Sequence, residues 1–268
     1  MARRLGASWS KNGPRALFVH GFPFHGGQWD STLGRLPHIG RIVPHLSGFL
    51  DSPFPPGSAP EVMTMESYAD DLAATLDASG ENEPVTYVGF SMGGYIAFPF
   101  LRKYRHRVRA LVLCNTRAIA DTPEGAAGRL AMAERVLAEG PGALIESMLP
   151  KLLSTFTLRF RPDLVAKVRA LMEAPPRGGT GPAREAIAAA LRGMACRPDS
   201  TPMLASIDVP TLVVVGEHDA ISSPAEMRSI ADAIPGARFV EIPRAGHMTT
   251  HENPEALARA FGEFLGSL

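Results

Sequence analysis

A serine between two glycines is the first place in this sequence where chemistry is expected. Residues 85–94 read Val-Thr-Tyr-Val-Gly-Phe-Ser-Met-Gly-Gly, so a buried strand pattern runs into Gly-x-Ser-x-Gly and then into a helical pattern. Strand, turn and helix form the context that a nucleophilic serine on a sharp turn requires. Side chains at Gly89 and Gly93 would collide with the neighbouring strand and helix, and the turn is expected to push the Ser91 hydroxyl out of the sheet.

A serine hydroxyl is a poor nucleophile at neutral pH, so it needs a base and a carboxylate that orients the base. Two candidate carboxylates, Glu217 and Asp219, follow the strand pattern of residues 211–216. They lie two positions apart, and an extended chain would place both on the same side. The spacing therefore leaves both open as the orienting acid.

Three histidines in the later part of the chain could be the base. His218 lies between the two carboxylates, His247 follows the strand pattern of residues 238–242, and His251 lies four positions further on. The order Ser91, Asp219, His247 along the chain fits a serine, acid and histidine triad.

The elements that must position these residues alternate along the chain. Short apolar runs predict strands, and helical patterns predict helices between them, which together indicate an α/β fold with a mostly parallel sheet. The predicted strands are residues 16–20, 85–89, 108–114, 211–216 and 238–242, and the predicted helices are residues 67–76, 93–104, 225–234 and 254–265.

Residues 122–200 break this alternation. They are rich in Ala, Leu and Arg, helical in period and without a convincing strand, and residues 175–182 form a Pro/Gly segment that reads as a turn between helices. We expect an inserted helical cap at 122–200 and a core formed by residues 1–121 and 201–268.

Composition excludes several classes of protein. Lys plus Arg and Asp plus Glu both number 27, so no net charge favours nucleic acid or a membrane surface as a partner. The two cysteines, Cys114 and Cys196, are too few for a disulfide framework, which favours a reducing compartment. Lys11 and Arg15 interrupt any signal-peptide apolar region, and no apolar run approaches the roughly 18 residues that span a bilayer. A cytoplasmic protein is expected.

Cofactor sites are also not expected. The first strand is followed by His-Gly-Phe-Pro and not by a glycine fingerprint that opens a helix, which disfavours dinucleotide binding. Suitable metal-ligand spacings are missing from the sequence, so we predict neither a metal nor a cofactor.

Four motifs in fixed order give the chain a resemblance to a known family. They are His20-Gly21-Phe22-Pro23, Gly89-Phe90-Ser91-Met92-Gly93, Gly216-Glu217-His218-Asp219 and Gly246-His247. Over nearly its whole length the chain resembles an α/β-hydrolase with a helical cap, close to the group of 3-oxoadipate enol-lactonases, carboxylesterases and cofactor-free perhydrolases. The resemblance implies the α/β-hydrolase fold, a mostly parallel central sheet flanked by helices with an inserted cap.

The resemblance also selects among the candidate residues. It implies Asp219 as the catalytic acid and His247 as the catalytic base. Glu217 falls where the family has a variable polar residue, so a loop salt bridge or a surface role is expected. His251 matches no catalytic position, and a packing or pocket role is expected.

An acyl-transfer transition state places negative charge on the carbonyl oxygen, which needs donors already in position. The backbone N–H of Met92, directly after Ser91 at a helix N-terminus, is expected to give one donor. By resemblance, the N–H of Phe22 gives the other, and His20 holds that loop. Phe24 is a candidate substrate contact or core residue, and His25 could touch substrate or cap the loop.

One segment departs from the family pattern. Where relatives usually have Asp-Leu-Arg-Gly, an aromatic residue, Gly and Ser, residues 41–52 carry His45, Ser47 and Leu50 instead. Leu50 in place of a glycine restricts the backbone. The triad residues are unaffected by these changes.

The expected function is hydrolysis of a small-molecule carboxylic ester or lactone through an acyl-enzyme. The same triad would also suit a 3-oxoadipate enol-lactonase, a perhydrolase or a carbon-carbon bond hydrolase. A slow-turnover, ligand-sensing signalling protein on this scaffold is the alternative from another class. The oligomeric state is not readable from the sequence.

Overall fold

One mostly parallel sheet organises the computed structural model, which describes residues 5–10, 15–52, 54, 58–174 and 183–268. In these residues seven strands pair in the order β1-β3-β2-β4-β5-β6-β7, with β1 antiparallel to β3 and every other pair parallel. The strands are β1 (Ala7–Ser10), β2 (Arg15–Val19), β3 (Gly40–Pro44), β4 (Val85–Phe90), β5 (Val108–Cys114), β6 (Thr211–Gly216) and β7 (Arg238–Ile242).

Helices follow most strands and cover both faces of the sheet. The α-helices are α1 (Asp30–Leu33), α2 (Met65–Ala78), α3 (Met92–Tyr104), α4 (Pro123–Glu139), α5 (Gly142–Leu152), α6 (Thr155–Phe160), α7 (Pro162–Met172), α8 (Arg184–Ala195), α9 (Pro224–Ala233), α10 (Thr249–Glu252) and α11 (Pro254–Leu265). The expected α/β class and mostly parallel sheet are confirmed.

Burial explains which strands the sequence reveals. All residues of β4 and β6 are buried, because helices cover a parallel sheet on both sides, and such strands show as continuous apolar runs. The sequence pattern does not predict β1 and β3. β1 is a four-residue edge strand, Ala-Ser-Trp-Ser, with its two central residues exposed, and β3 ends in a proline.

Helices α4 to α8 lie between β5 and β6. Residues 123–172 and 184–195 contain no strand, as the helical pattern indicates, and α4 and α8 pack along each other. The predicted turn at residues 175–182 lies outside the described residues. The division into a core and a cap remains a prediction.

Polar contacts tie this helical segment to the rest of the molecule, including one at its ends and one in its middle. At its ends, Arg197 after α8 and Asp121 before α4 form an ion pair at 2.8 Å, with side chains 4% and 6% exposed. In its middle, the N–H of Met248 donates to the Leu152 carbonyl at 3.0 Å. The ion pair therefore joins the two ends of the segment, and the hydrogen bond joins its middle to the loop after β7.

No helix in the described part of the chain combines the length and the apolar character that crossing a membrane requires.

Candidate active site

Ser91 lies on the turn between β4 and α3 in a strained conformation, with φ 50° and ψ −113°. Neighbouring groups hold it there. Its N–H donates to the Cys114 carbonyl at 2.9 Å, and its own carbonyl accepts the Thr116 hydroxyl at 2.7 Å. The end of β5 therefore fixes the backbone of Ser91 on both sides.

The glycines around Ser91 are required by close approach. A Cβ added at Gly89 would lie 2.5 Å from the Gly93 carbonyl oxygen, and one at Gly93 would lie 2.4 Å from the Val19 carbonyl oxygen. Real Cβ atoms do not come this close to backbone atoms. The predicted collisions are thus found, with the helix start for Gly89 and with β2 for Gly93.

Asp219 and His247 are brought together although 28 positions separate them. His247 Nδ1 lies 2.8 Å from Asp219 Oδ2, and their side chains are 2% and 0% exposed. The His247 ring also packs edge-on against Phe90, the residue before Ser91, with 5.2 Å between ring centroids. Asp219, His247 and the turn of Ser91 therefore meet at the carboxyl edge of the sheet.

Hydrogen bonds keep the Asp219 carboxyl ionised. Burial by itself would raise its pKa, but the charge and hydrogen bond of His247, with hydrogen bonds from Asn115 and Ser222, lower it to about 2. Asp219 Oδ1 also accepts the N–H groups of Ile221 and Ser222 at 2.8 and 3.0 Å. A carboxylate in this setting can orient an imidazole and stabilise its charged form.

Glu217 is directed away from this pair. The chain does not continue extended after β6, as the two-residue spacing assumed, because the N–H of Asp219 turns back to the Gly216 carbonyl at 3.0 Å. The Glu217 carboxylate instead accepts the Arg244 N–H at 2.8 Å on the surface. The expectation that both carboxylates share one side is wrong for this reason.

The two competing histidines also lie elsewhere. His218 is half exposed, and its nearest acid is Glu217, at 3.8 Å. His251 is buried with its Nδ1 3.0 Å from the Thr250 hydroxyl, and burial lowers its pKa to about 4.

The loop after β2 passes directly beside the serine. A Cβ at Gly21 would lie 3.2 Å from the Ser91 Cβ. His20 is fully buried, and its ring accepts the Leu46 N–H at Nε2 and contacts the Gly21 carbonyl at Nδ1, both at 2.9 Å. The N–H of Gly21 donates to Gln28 Oε1 at 2.9 Å. This loop carries Phe22, so its backbone is fixed next to Ser91.

Met92 is the first residue of α3, where backbone N–H groups have no acceptor within the helix. The N–H groups of Gly94 and Tyr95 already donate to the Ser91 carbonyl, at 2.9 and 3.2 Å. The N-terminus of α3 therefore presents its positive end at the serine.

Phe24 and His25 lie further along the same loop. Phe24 is 1% exposed and belongs to a buried apolar cluster with Trp29 and Phe90. His25 Nδ1 accepts the Gly27 N–H at 3.1 Å, a capping contact, and burial lowers its pKa. Their described contacts are those of a core residue and a loop cap.

The segment that departs from the family pattern contacts this loop. His45 Nδ1 accepts the Gly26 N–H at 3.0 Å, and the Ser47 hydroxyl donates to Asp71. Leu50 adopts φ 40°, a left-handed conformation that favours glycine and is unfavourable for a leucine.

Sequence reasoning missed two side chains that contact the acid. Asn115 Nδ2 and the Ser222 hydroxyl donate to Asp219 Oδ2 at 2.8 and 2.7 Å. The available signals were the position of Asn115 directly after a strand and of Ser222 three residues after Asp219, but neither pattern marks a function by itself.

Comparisons with known proteins identify similar chains. A family model described as alpha/beta hydrolase fold matches residues 14–254. A solved thermophilic esterase from Thermogutta terrifontis, malate bound, is 43% identical with a TM-score of 0.90, covering 98% of this chain and 93% of its own. The enol-lactonase from Burkholderia xenovorans LB400 is 25% identical with a TM-score of 0.84, covering 98% and 96%. A pimeloyl-[acyl-carrier protein] methyl ester esterase of Neisseria meningitidis is 27% identical, covering 94% and 93%.

Proposed function

Because this chain belongs to the alpha/beta hydrolase fold family, we propose that it cleaves a small carboxylic ester through an acyl-enzyme formed on Ser91. Family membership and the esterase relatives support an ester hydrolase in general. The observation that carries the finer proposal is the buried pair of His247 and Asp219, which packs beside the strained turn of Ser91.

The pair sets the roles of the two imidazole nitrogens. His247 Nδ1 donates to the ionised Asp219 carboxylate, so Nε2 is left as the acceptor for the Ser91 hydroxyl. In acylation the Ser91 oxygen attacks the carbonyl carbon while Nε2 takes the hydroxyl proton. The ester C–O bond then breaks, the alcohol leaves with that proton, and the acyl group stays on Ser91.

Deacylation repeats these steps with water. The water oxygen attacks the acyl carbon while His247 takes a proton, and the carboxylic acid leaves as Ser91 regains its hydrogen. In both halves the negative carbonyl oxygen would be bound by the N–H groups of Met92 and Phe22. The start of α3 and the loop fixed by His20 support these two assignments.

Lactone opening is the second candidate, favoured by the enol-lactonase relative at 25% identity over nearly the whole chain. The same attack on a cyclic ester leaves the alcohol tethered to the acyl group, and the chemistry at Ser91 is unchanged. Which of the two is preferred depends on the shape of the substrate pocket.

A Ser91→Ala variant tests the proposal. With p-nitrophenyl acetate and butyrate, we expect turnover in the unaltered protein and a loss of roughly 10³-fold or more in the variant, because the nucleophile is gone. An organophosphonate should label Ser91, as located by peptide mass spectrometry. Enol-lactones and a peroxide-containing arm extend the panel to the other expected activities.

Ser229→Ala is a matched control. Its hydroxyl donates to the Ala225 carbonyl on the exposed face of α9, so activity should not change. Undiminished hydrolysis by Ser91→Ala would reject the assignment.

A further inference from the structure

Asn115 lies between the strands that carry the proposed nucleophile and acid. It follows β5, which pairs with β4 on one side and with β6 on the other. Its side chain is fully buried, and its backbone adopts φ 47°, a left-handed conformation that asparagine tolerates better than most residues. The N–H of Asn115 donates to the Val214 carbonyl at 2.9 Å, which fixes the residue against β6.

Both the nitrogen and the oxygen of its side-chain amide form hydrogen bonds. Asn115 Nδ2 donates to Asp219 Oδ2 at 2.8 Å, the same oxygen that His247 contacts. Asn115 Oδ1 accepts the hydroxyl of Thr249 at 2.8 Å. A hydroxyl that donates to Oδ1 fixes the amide with Nδ2 towards the carboxylate, since the flipped amide would place two oxygens together.

Thr249 in turn belongs to the element that carries the base. It is the first residue of α10, and its N–H donates to the His247 carbonyl at 3.0 Å. The side chain of Thr249 is fully buried. The amide of Asn115 is thus contacted by the loop of His247 on one side and contacts the acid on the other.

We propose that Asn115 and Thr249 are positioning residues for the reaction: Thr249 orients the amide of Asn115, and Asn115 holds the Asp219 carboxylate in the orientation that His247 requires. The inference rests on the proposed function. Neither residue touches the reacting atoms. A donor at Oδ2 also reduces the basicity of the carboxylate, so it limits how strongly Asp219 retains a charged imidazole.

Glu252 and Cys114 are titratable groups on elements that flank the pair. Glu252 is the nearest described carboxylate on the loop of His247, and its oxygens accept the N–H groups of Ser154 and Gly246 at 2.9 and 2.7 Å. The Cys114 thiol, on β5, is fully buried, and burial raises its pKa.

The test measures kcat and KM for p-nitrophenyl butyrate from pH 5 to 9. Asn115→Gly removes the amide without adding strain at φ 47°. We expect kcat at pH 7.5 to fall roughly tenfold with little change in KM, and the acid limb of kcat/KM to move upward by about half a pH unit, because Asp219 loses a donor and holds the imidazolium more tightly. Thr249→Val should also lower kcat and move the acid limb of kcat/KM upward, by smaller amounts than Asn115→Gly.

Three further variants separate positioning from general damage. Thr249→Ser keeps the hydroxyl and should restore activity and the acid limb. Thr250→Val is the matched control, because that hydroxyl contacts His251. In the double variant, Thr249→Val should have no further effect once Asn115→Gly is present, since the threonine acts through the amide.

An unmoved acid limb in folded Asn115→Gly, or effects that add fully in the double variant, would overturn the inference. If Asn115→Gly does not fold, the comparison of Thr249→Val with Thr249→Ser decides alone, and identical profiles would overturn it. Ser91→Ala is measured alongside. If turnover depends on Ser91 but the acid limb of kcat/KM does not move in Asn115→Gly, only this inference is refuted. If turnover does not depend on Ser91, the proposed function is refuted as well.

Discussion

Replacing His20 tests how the loop after β2 is held. The ring can accept the Leu46 N–H at Nε2 and donate to the Gly21 carbonyl at Nδ1 only while it is neutral. Burial disfavours the charged ring. The Gly21 hydrogen bond opposes this effect, the charges of His45 and His25 add to it, and the pKa of His20 falls to about 3.

The sign and size of the effect follow from this pKa. In the unfolded chain the ring binds a proton near pH 6.5, whereas the folded chain binds it only near pH 3. The folded state therefore loses stability as the pH falls below 6.5, and the loss stops near pH 3. At pH 4.5, two units below the unfolded pKa, the loss is about 3 kcal/mol, because each pH unit below the unfolded pKa costs about 1.4 kcal/mol.

Urea unfolding followed by circular dichroism at pH 7.5, 6.5, 5.5 and 4.5 measures this loss. His20→Gln has no titrating ring, so it should be less stable than the unaltered protein at pH 7.5, and this difference in stability should narrow by about 3 kcal/mol at pH 4.5. His218→Gln, at a half-exposed ring, is the control for replacing a histidine by glutamine. A gap that stays constant with pH would refute a neutral, buried His20.

Two further predictions concern stability, measured by chemical denaturation at pH 7.5. Gly128→Ala, on the exposed face of α4 with nothing within 4 Å of the added Cβ, should stabilise by about 0.5–1 kcal/mol, whereas Gly193→Ala in α8 would place its Cβ 1.8 Å from a backbone oxygen and should destabilise by about 3 kcal/mol. Equal effects at the two glycines would contradict the packing of α8. Arg197→Met should cost about 2 kcal/mol, because it removes one of the two arginines that pair with the buried Asp121 and leaves only Arg129, whereas Arg135→Met, which breaks an exposed pair, should cost no more than about 0.5 kcal/mol. Similar losses in both arginine variants would count against the buried pair.

The local sequence pattern was sufficient to predict most strands of the sheet and the helices between them. α11 begins and ends where the helical pattern predicts, and strands β4, β5, β6 and β7 match their apolar runs to within a residue. These elements combine strong periodicity with full or partial burial, so sequence and environment agree. β1 and β3 pair with each other at one edge of the sheet, and their short, partly polar sequences do not carry that signal.

In the candidate site, the motif at Ser91 could be recognised from the sequence. Its glycines are required because the backbone comes too close there for a side chain. The choice between Glu217 and Asp219 was not readable from spacing, because a turn after β6 sends the two side chains to different places. The resemblance to a family indicated Asp219, and the structure pairs Asp219 with His247.

The sequence by itself determined the α/β class, the serine on its turn between a strand and a helix, and a short set of candidate acids and bases. Only the tertiary structure decided which of those candidates meet. It also revealed that Asn115 and Thr249, more than a hundred positions apart, contact each other, and that Asn115 contacts Asp219. The physical reason is that parallel strands bring their carboxyl ends to one edge of the sheet, so residues from distant loops become neighbours through pairing order, which no local pattern encodes.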